Sequence, residues 1–489
     1  MNLKAISLNV GKALLVSALF MLLSVGVSLF YGRDSAFAPL LLSFIVTFVL
    51  GVFPLIFVRN SPALSMHEGL VTIVVSWILS FIMGMLPYVL WGGEFTIINA
   101  LFESVSGYTT TGATILRDIE ALPHSLLFWR SSTQYIGGLG VVIFLLYILP
   151  DNSPLRLKLT NLEMSSITRE GYQYRSSQSI RVIIRVYLAL LVLSFGSLVL
   201  AGMPIFDAVN HALTISATGG FSIKNASIGF YDSTVINIIV MVFTIVSSIH
   251  FGLIYMAFAR QTLKPLKTPV VRYFLMVIVV ASIATSLSLK WSGGYESWGK
   301  AVMDGSFAVV SYITTAGFAI ADNAAWPLLA SVMMMFCAFQ CGCSGSTSGG
   351  LKADRMLLSF RVIIRQIRHN ANPSEVHRIT VGGRPVKDEV AIGAVTYLAL
   401  YCLIILFSTL FLLTLGVDGR TAFSGSVASV GNVGPALGDI GMAGNYAHLA
   451  PWVKFIFSVD MLFGRVEIYP VMVVIFLLFR GGRFFKQGR

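Results

Sequence analysis

Charge is what this sequence has least of. Only 11% of its 489 residues are Asp, Glu, Lys or Arg, and 56% are hydrophobic, whereas a soluble domain ordinarily carries about 25% charged residues. So little charge excludes an ordinary soluble enzyme, a disordered chain and a collagen-like fibre. Cysteine is scarce too. Cys337, Cys341 and Cys343 share one short apolar stretch and Cys402 stands apart. That is no secreted disulfide framework, and no nearby histidine completes a zinc site. There is no convincing nucleophile with its base, no metal cluster and no stretch long enough for a separate soluble domain, so an enzyme is not expected. The net charge of +12 raises nucleic acid as a partner. In a chain this apolar, however, basic residues report orientation in a lipid bilayer, and no nucleic acid is expected.

Long apolar runs are what the chain has in abundance. Crossing the hydrocarbon core takes roughly 20 apolar residues. Such runs lie near 13–31, 38–58, 70–91, 127–149, 182–201, 234–259, 271–290, 327–366, 390–416 and 453–480. The expectation is an all-α polytopic membrane protein with ten transmembrane helices, the eighth interrupted. Lys4 and Lys12 precede the first run, and Ala36-Phe37-Ala38 resembles a signal-peptidase site. That run exceeds the ~7–15 residues of a signal h-region and a second follows at once, so two membrane helices are expected in place of a cleaved leader. A cytoplasmic N-terminus puts 25 of the 34 basic residues on the inner side. These are Lys4, Lys12 and Arg59; six between Arg156 and Arg185; four between Arg260 and Arg272; eight between Lys352 and Lys387; and Arg480, Arg483, Lys486 and Arg489. This bias places both termini in the cytoplasm.

Four outer connections repeat one pattern: a span, a short half-apolar segment, a glycine-rich knot, then the next span. The knots are Thr109-Thr110-Thr111-Gly112-Ala113, Ala217-Thr218-Gly219-Gly220-Phe221, Thr314-Thr315-Ala316-Gly317-Phe318 and Gly431-Asn432-Val433-Gly434-Pro435. Aligned on Gly112, Gly220, Gly317 and Gly434, they lie 108, 97 and 117 residues apart. Thirteen residues before each glycine stands a good helix N-cap, Asn99, Asp207, Asp304 or Thr421. The intervening segment makes a helix too short to span. Bare backbone cannot face lipid, so these read as re-entrant loops that line a pore. Each short helix points the negative end of its dipole at the centre, and the knots offer carbonyl oxygens in place of a cation's hydration shell. Twelve outer acids, among them Glu94, Glu103, Asp118 and Glu120, stand against eight outer bases that include Arg117, Arg130 and Lys454. A mildly acidic vestibule of that kind concentrates cations.

With these knots, the run Cys341 to Gly350 and the stretch Met461 to Glu467, the chain resembles the Trk/Ktr/HKT superfamily of potassium uptake proteins along essentially its whole length, closest to the bacterial Trk branch. The resemblance implies four pseudo-symmetric helix–pore loop–helix units around one pore, at 67–155, 156–262, 263–380 and 381–489, after two extra N-terminal helices at 1–66. It implies a multi-pass protein of the bacterial inner membrane, a homodimer, and a cytosolic nucleotide-binding regulatory subunit through which any nucleotide would act. The transported ion would be potassium, held by Thr110, Thr111 and Gly112, Thr218, Gly219 and Gly220, Thr315, Ala316 and Gly317, and Asn432, Val433 and Gly434. In the family, glycine at the position of Gly112 goes with potassium and serine with sodium permeation. Ala217-Thr218 is more polar than the apolar pair expected there, which bears on fine selectivity. The alternatives are a sodium-coupled or sodium-permeable transporter and the membrane subunit of an ATP-driven potassium pump.

Inside the eighth span, Cys341, Gly342, Cys343, Ser344, Gly345, Ser346, Thr347, Ser348, Gly349 and Gly350 interrupt an apolar run. Such a segment must be enclosed by protein or water. It lacks the Gly-Lys-Ser/Thr of a phosphate loop and the Gly-x-Ser-x-Gly of a hydrolase elbow. The resemblance makes it an intramembrane gate; the alternative is a kink that packs against a neighbour. Arg465 lies mid-span, where an arginine is expensive and faces a cavity or a partner. The family pattern puts it beneath the filter, able to hold the gate loop. The alternative is a structural ion pair with Glu467, and Asp460 is a further candidate counter-ion. Gly137-Gly138-Leu139-Gly140 reads as close helix packing. His250 and Tyr255 receive no role.

Overall fold

The computed structural model describes residues 2–58, 64–147, 176–259, 261–374, 377–382 and 384–480. Arg59, Arg156, Lys158, Arg169, Arg175, Arg260, Arg483, Lys486 and Arg489 lie outside the described residues, as do the end of the run expected to reach 149 and the boundary at 155.

The described residues fold into helices. Besides helices and connecting loops, the described residues hold a pair of two-residue antiparallel strands, β1 (Thr380–Val381) and β2 (Arg384–Pro385), with Thr380 opposite Pro385. Among the described residues, six helices are long and apolar enough to cross a membrane. They are α1 (Leu3–Phe30), α2 (Phe37–Phe57), α3 (Met66–Trp91), α6 (Ser176–Leu200), α10 (Pro269–Trp291) and α14 (Asp388–Thr414). Large apolar side chains stay exposed along them, for example Phe48, Phe53 and Phe57 on α2, and Leu406, Phe407 and Phe411 on α14. A lipid environment accommodates such surface; water does not.

α1 packs against α2, α3 and α5 (His124–Tyr147). Asp34, in the turn after α1, accepts hydrogen bonds from the hydroxyls of Ser28 (2.6 Å) and Ser125 (2.7 Å) and from the Ser125 N–H (3.0 Å). Partial burial pushes its carboxyl up, but these hydrogen bonds outweigh it and hold it below the ordinary aspartate range. They tie the N-terminal hairpin to α5. Deeper in, the Tyr108 hydroxyl donates to Ser17 of α1 at 2.9 Å.

Four short helices stand between the long ones: α4 (Ile97–Tyr108), α7 (Ile205–Ser216), α11 (Trp298–Ile313) and α15 (Gly419–Val430). They begin earlier than expected. Their N-caps are Thr96, Pro204, Ser297 and Asp418, not Asn99, Asp207, Asp304 and Thr421. The reason is local. Thr96 accepts from the Asn99 N–H, and Asp418 accepts from the Arg420 and Thr421 N–H groups. The residues read as caps therefore fall inside the helices.

The eighth run is interrupted as expected: α12 (Leu328–Gln340) ends at Cys341 and α13 (Ala353–Ala371) resumes beyond the break. Two further runs break, which periodicity did not foretell. α8 (Thr234–Ser247) and α9 (Phe251–Ala259) meet at 100°, and α16 (Pro451–Val466) and α17 (Ile468–Arg480) at 115°. Ser248 and His250 fill the first corner, and Glu467, with φ 69°, makes the second. The ten-span reading is thus coarser than the fold, which has six long apolar helices and two bent pairs among the described residues.

Candidate ion pathway

The four short helices end alike. Thr110, Thr218, Thr315 and Asn432 have φ of 53°, 49°, 57° and 54°. Each donates its N–H to the carbonyl three residues back, and the following residue donates to the carbonyl five back, as from Thr111 to Ser106 and from Val433 to Ala428. These are the paired bonds of a Schellman cap, built here on residues with side chains. Left-handed backbone at a non-glycine position costs on the order of 1–3 kcal/mol and persists only where its surroundings enforce it. Two residues later, Gly112, Gly220, Gly317 and Gly434 have φ of 83°, 83°, 70° and 89°.

These glycines interlock. A β-carbon on Gly112 would collide with the carbonyl oxygen of Gly219, one on Gly220 with that of Ala316, one on Gly317 with that of Val433, and one on Gly434 with that of Thr111. The order runs from the first knot to the fourth and back to the first, so the four knots close a ring. All four glycines line a small cavity of about 70 Å³, together with Thr114, Ser222, Lys224 and Tyr446.

Side chains behind the knots hold the ring. Asn432 donates to Thr111 Oγ1 at 3.1 Å, joining the fourth knot to the first. Tyr446 donates to the Gly434 carbonyl at 2.8 Å, and its N–H reaches the Thr114 carbonyl. Glu103 and Arg130, counted from sequence among the vestibule charges, are instead buried and paired at 2.7 Å. Glu103 accepts from Thr114 and from the Ile115 N–H, and Arg130 donates to the Ser222 carbonyl at 3.1 Å. Gln134 donates to the Gly219 carbonyl at 2.6 Å. Sequence reasoning missed the roles of Gln134, Tyr446 and the Glu103–Arg130 pair, because each joins residues far apart in the chain with no local spacing to betray it.

The loop from Cys341 to Gly350 lies directly against the knots, at Thr218 and Thr315. The Thr347 and Thr218 hydroxyls are 3.2 Å apart and those of Ser348 and Thr315 3.1 Å apart, while the Gly349 N–H donates to Thr315 Oγ1 at 3.2 Å. The corner between α8 and α9 holds the loop from the side. Cys343 N–H donates to the Ser248 carbonyl, Thr347 N–H to that of Ser247, and Phe251 N–H to that of Gly345. Ser346 turns back on the Cys343 carbonyl at 2.6 Å, and the Ser344 N–H reaches Asp354 at 3.1 Å. The Gly342 N–H bonds Ser348 Oγ at 3.0 Å, and the Cys341 thiol donates to the Ala338 carbonyl. Gly350 abuts the Cys341 sulfur and Gly431.

Arg465 donates to the Thr347 carbonyl at 2.5 Å and to the Gly137 carbonyl at 2.8 Å. Glu467, the partner in the alternative reading of Arg465, is engaged elsewhere. Glu467 pairs with Arg355 at 2.7 Å, and the Arg355 guanidinium lies 3.9 Å from the Tyr397 ring centre. Asp460 accepts from Ser408 at 2.5 Å. The backbone turn at Glu467 sends its carboxylate towards α13, while Arg465, two residues earlier, faces the loop. Gly137 and Gly138 pack where a β-carbon would strike the Tyr108 carbonyl or the Tyr187 hydroxyl, in keeping with close packing. His250 sits in the α8–α9 corner, its Nδ1 accepting from the Gly252 N–H at 3.0 Å and its ring against Gly345.

Long apolar helices and a closed ring of four glycine knots, each reached by a short helix, define a membrane transport protein. The chain belongs to the TrkH family, described as cation transport proteins, whose match spans residues 40–487; this is a transport family, not an enzyme family. Among its relatives is the Trk system potassium uptake protein TrkH of Salmonella typhimurium, 34% identical over 478 residues, covering 97% of this chain and 98% of the relative. Another is the Trk system potassium uptake protein TrkG of Escherichia coli K12, 32% identical, with 94% of each chain covered. The crystal structure of the potassium transporter TrkH from Vibrio parahaemolyticus superimposes with a TM-score of 0.88 at 32% identity, covering 97% of this chain and 99% of that one.

Proposed function

We propose that this chain is the channel-like membrane subunit of a potassium uptake system. The observation that carries the reading is the closed ring in which each filter glycine abuts the next knot's carbonyl oxygen. Only glycine permits that approach, and carbonyl oxygens held in this way replace the hydration shell of a bare cation. Potassium is the ion favoured, on glycine at all four knots and on relatives named for potassium uptake. Ions pass from the outer cavity through the ring and meet the loop from Cys341 to Gly350, which blocks the inner side until it moves. Arg465 holds that loop and places a positive charge on the path.

The same reading divides the chain into two N-terminal helices and four pore units, with ten crossings when each bent pair, α5 and the interrupted α12–α13 run count as one span each. It puts both termini in the cytoplasm of a bacterial inner membrane, assembles the chain as a homodimer, and docks a cytosolic nucleotide-binding subunit on the basic inner segment from Arg355 to Lys387. The test is flux into proteoliposomes holding the purified chain, comparing potassium, rubidium, sodium and lithium. Preference for potassium and rubidium supports the reading. Equal sodium flux would shift it to a sodium-permeable transporter, and the absence of any cation flux would sink it.

A further inference from the structure

The second knot departs from the other three. Just before the filter glycine, the first, third and fourth knots carry side chains: Thr111, Ala316 and Val433. The second carries Gly219. The backbone there does not demand glycine, since Gly219 is not among the left-handed residues. Space demands it. A β-carbon on Gly219 would collide with the side-chain amide of Gln134.

Gln134 reaches this place from α5, which belongs to the neighbouring unit, and is fully buried. It donates to the Gly219 carbonyl at 2.6 Å and accepts from the Phe221 N–H at 3.1 Å, spanning the second knot on both sides of Gly220. One turn away, Arg130 bonds the Ser222 carbonyl and lies 4.0 Å from the Phe221 ring centre. The Gly219 oxygen that Gln134 holds is the same one that abuts Gly112 in the ring.

We infer that Gln134 is a selectivity-determining positioning residue: its amide occupies the volume of the side chain missing at Gly219 and sets the direction of that ring carbonyl. One ring oxygen is therefore held by a protein N–H donor, which makes the second quarter of the filter stiffer than a glycine pair would be alone. A knot with two adjacent glycines and no such clamp would be free to close around a smaller ion, and discrimination against sodium would fall. The inference rests on the ring being a potassium filter.

The experiment measures potassium, rubidium and sodium flux in proteoliposomes for the wild type, Gln134→Met, Gly219→Ala and the double variant Gln134→Ala/Gly219→Ala, with thermal stability followed alongside. Gln134→Met keeps the volume and removes both hydrogen bonds. The expected result is a potassium-over-sodium ratio lower by about fivefold, the change that roughly 1 kcal/mol of hydrogen bonding carries, at near wild-type stability. Gly219→Ala alone should lose flux by forcing the amide out. The double variant has room for the new methyl and should recover flux. A wild-type ratio in Gln134→Met, or a Gly219→Ala defect as severe with Gln134→Ala as without it, would overturn the inference. If Gln134→Met does not accumulate, the double variant decides alone: an altered ratio supports the inference and an unaltered one overturns it. A wild-type chain that passes no potassium would overturn the functional reading instead.

Discussion

Arg465 Nη1 donates to the carbonyl of Thr347 at 2.5 Å, and Nη2 to the carbonyl of Gly137 at 2.8 Å. A single guanidinium on α16 thus ties the loop from Cys341 to Gly350 to α5. Planar, permanently charged and rich in donors, arginine suits a site where two carbonyls must be held together. Arg465→Ala should raise basal potassium flux, because it releases the loop and removes a positive charge from the path. Deleting part of the 341–350 segment should do the same. If both act on one closed state, the combined change should gain less than the sum of the single effects, as contacting groups in a network do. Wild-type or lower flux in both single variants, at normal expression, would make the loop a scaffold.

Gly112→Ser tests the ring itself. The β-carbon must displace the Gly219 carbonyl, and the hydroxyl enters the ligand shell. Sodium permeation should rise relative to potassium in the reconstituted protein. An unchanged permeability ratio with normal folding would count against the filter assignment.

The Arg355–Glu467 pair, 2.7 Å apart and mostly shielded from solvent, joins α13, the helix after the 341–350 loop, to the corner next to Arg465. Arg355→Ala leaves a shielded carboxylate without this partner, which should cost about 3 kcal/mol of stability. Arg355→Met combined with Glu467→Gln removes both charges and should be milder than Arg355→Ala. Thermal unfolding in detergent distinguishes the two outcomes, and equal losses would deny the coupling.

Asp418 caps the fourth short helix at its N-terminal end. Hydrogen bonds from Thr421 and Arg420, with the nearby Arg420 charge, hold its carboxyl below the ordinary 3.8. A depressed carboxyl contributes stability that is fully present above 3.8 and lost as pH falls through the folded-state value. Asp418→Ala should cost about 1 kcal/mol at neutral pH. The gap to wild type should narrow only in strong acid, as measured by thermal unfolding against pH; a gap unchanged down to that range would refute the capping role.

Co-purification from native membranes should recover a nucleotide-binding protein with this chain. α13 offers it a cationic face with Arg361 and Arg368, beside exposed Phe360, Ile363, Ile364 and Ile367. Repeated failure to recover one, with flux indifferent to added nucleotides, would remove the regulatory part of the model of uptake.

How much of this was legible in the residues follows from the range of the forces involved. The membrane class, the four knots and the break after Gln340 are local facts: apolar runs, glycines at near-equal spacing, and small polar residues where a lipid-facing helix cannot continue. Each single run, knot or break is decided within about 20 residues, the length of one crossing, and the repeat is read by comparing such windows along the chain. The starts of the short helices were misplaced by that same local reasoning, because Asn99 and Thr421 are good caps in isolation while Thr96 and Asp418 are the residues whose side chains meet free N–H groups. The corners at Ser248–His250 and Glu467 escaped notice, since their polar content is too slight to break an apolar run unless neighbouring units supply partners for the freed backbone. The cyclic match of each glycine to the next knot's carbonyl, the clamp of Gln134 on Gly219, the burial of Glu103 with Arg130, and the choice of Arg355 over Arg465 as the partner of Glu467 join residues 27 to 323 positions apart. Hydrogen bonds and steric contacts act over a few ångströms, so relationships of that kind exist only after the chain has folded and were decided by the tertiary structure alone.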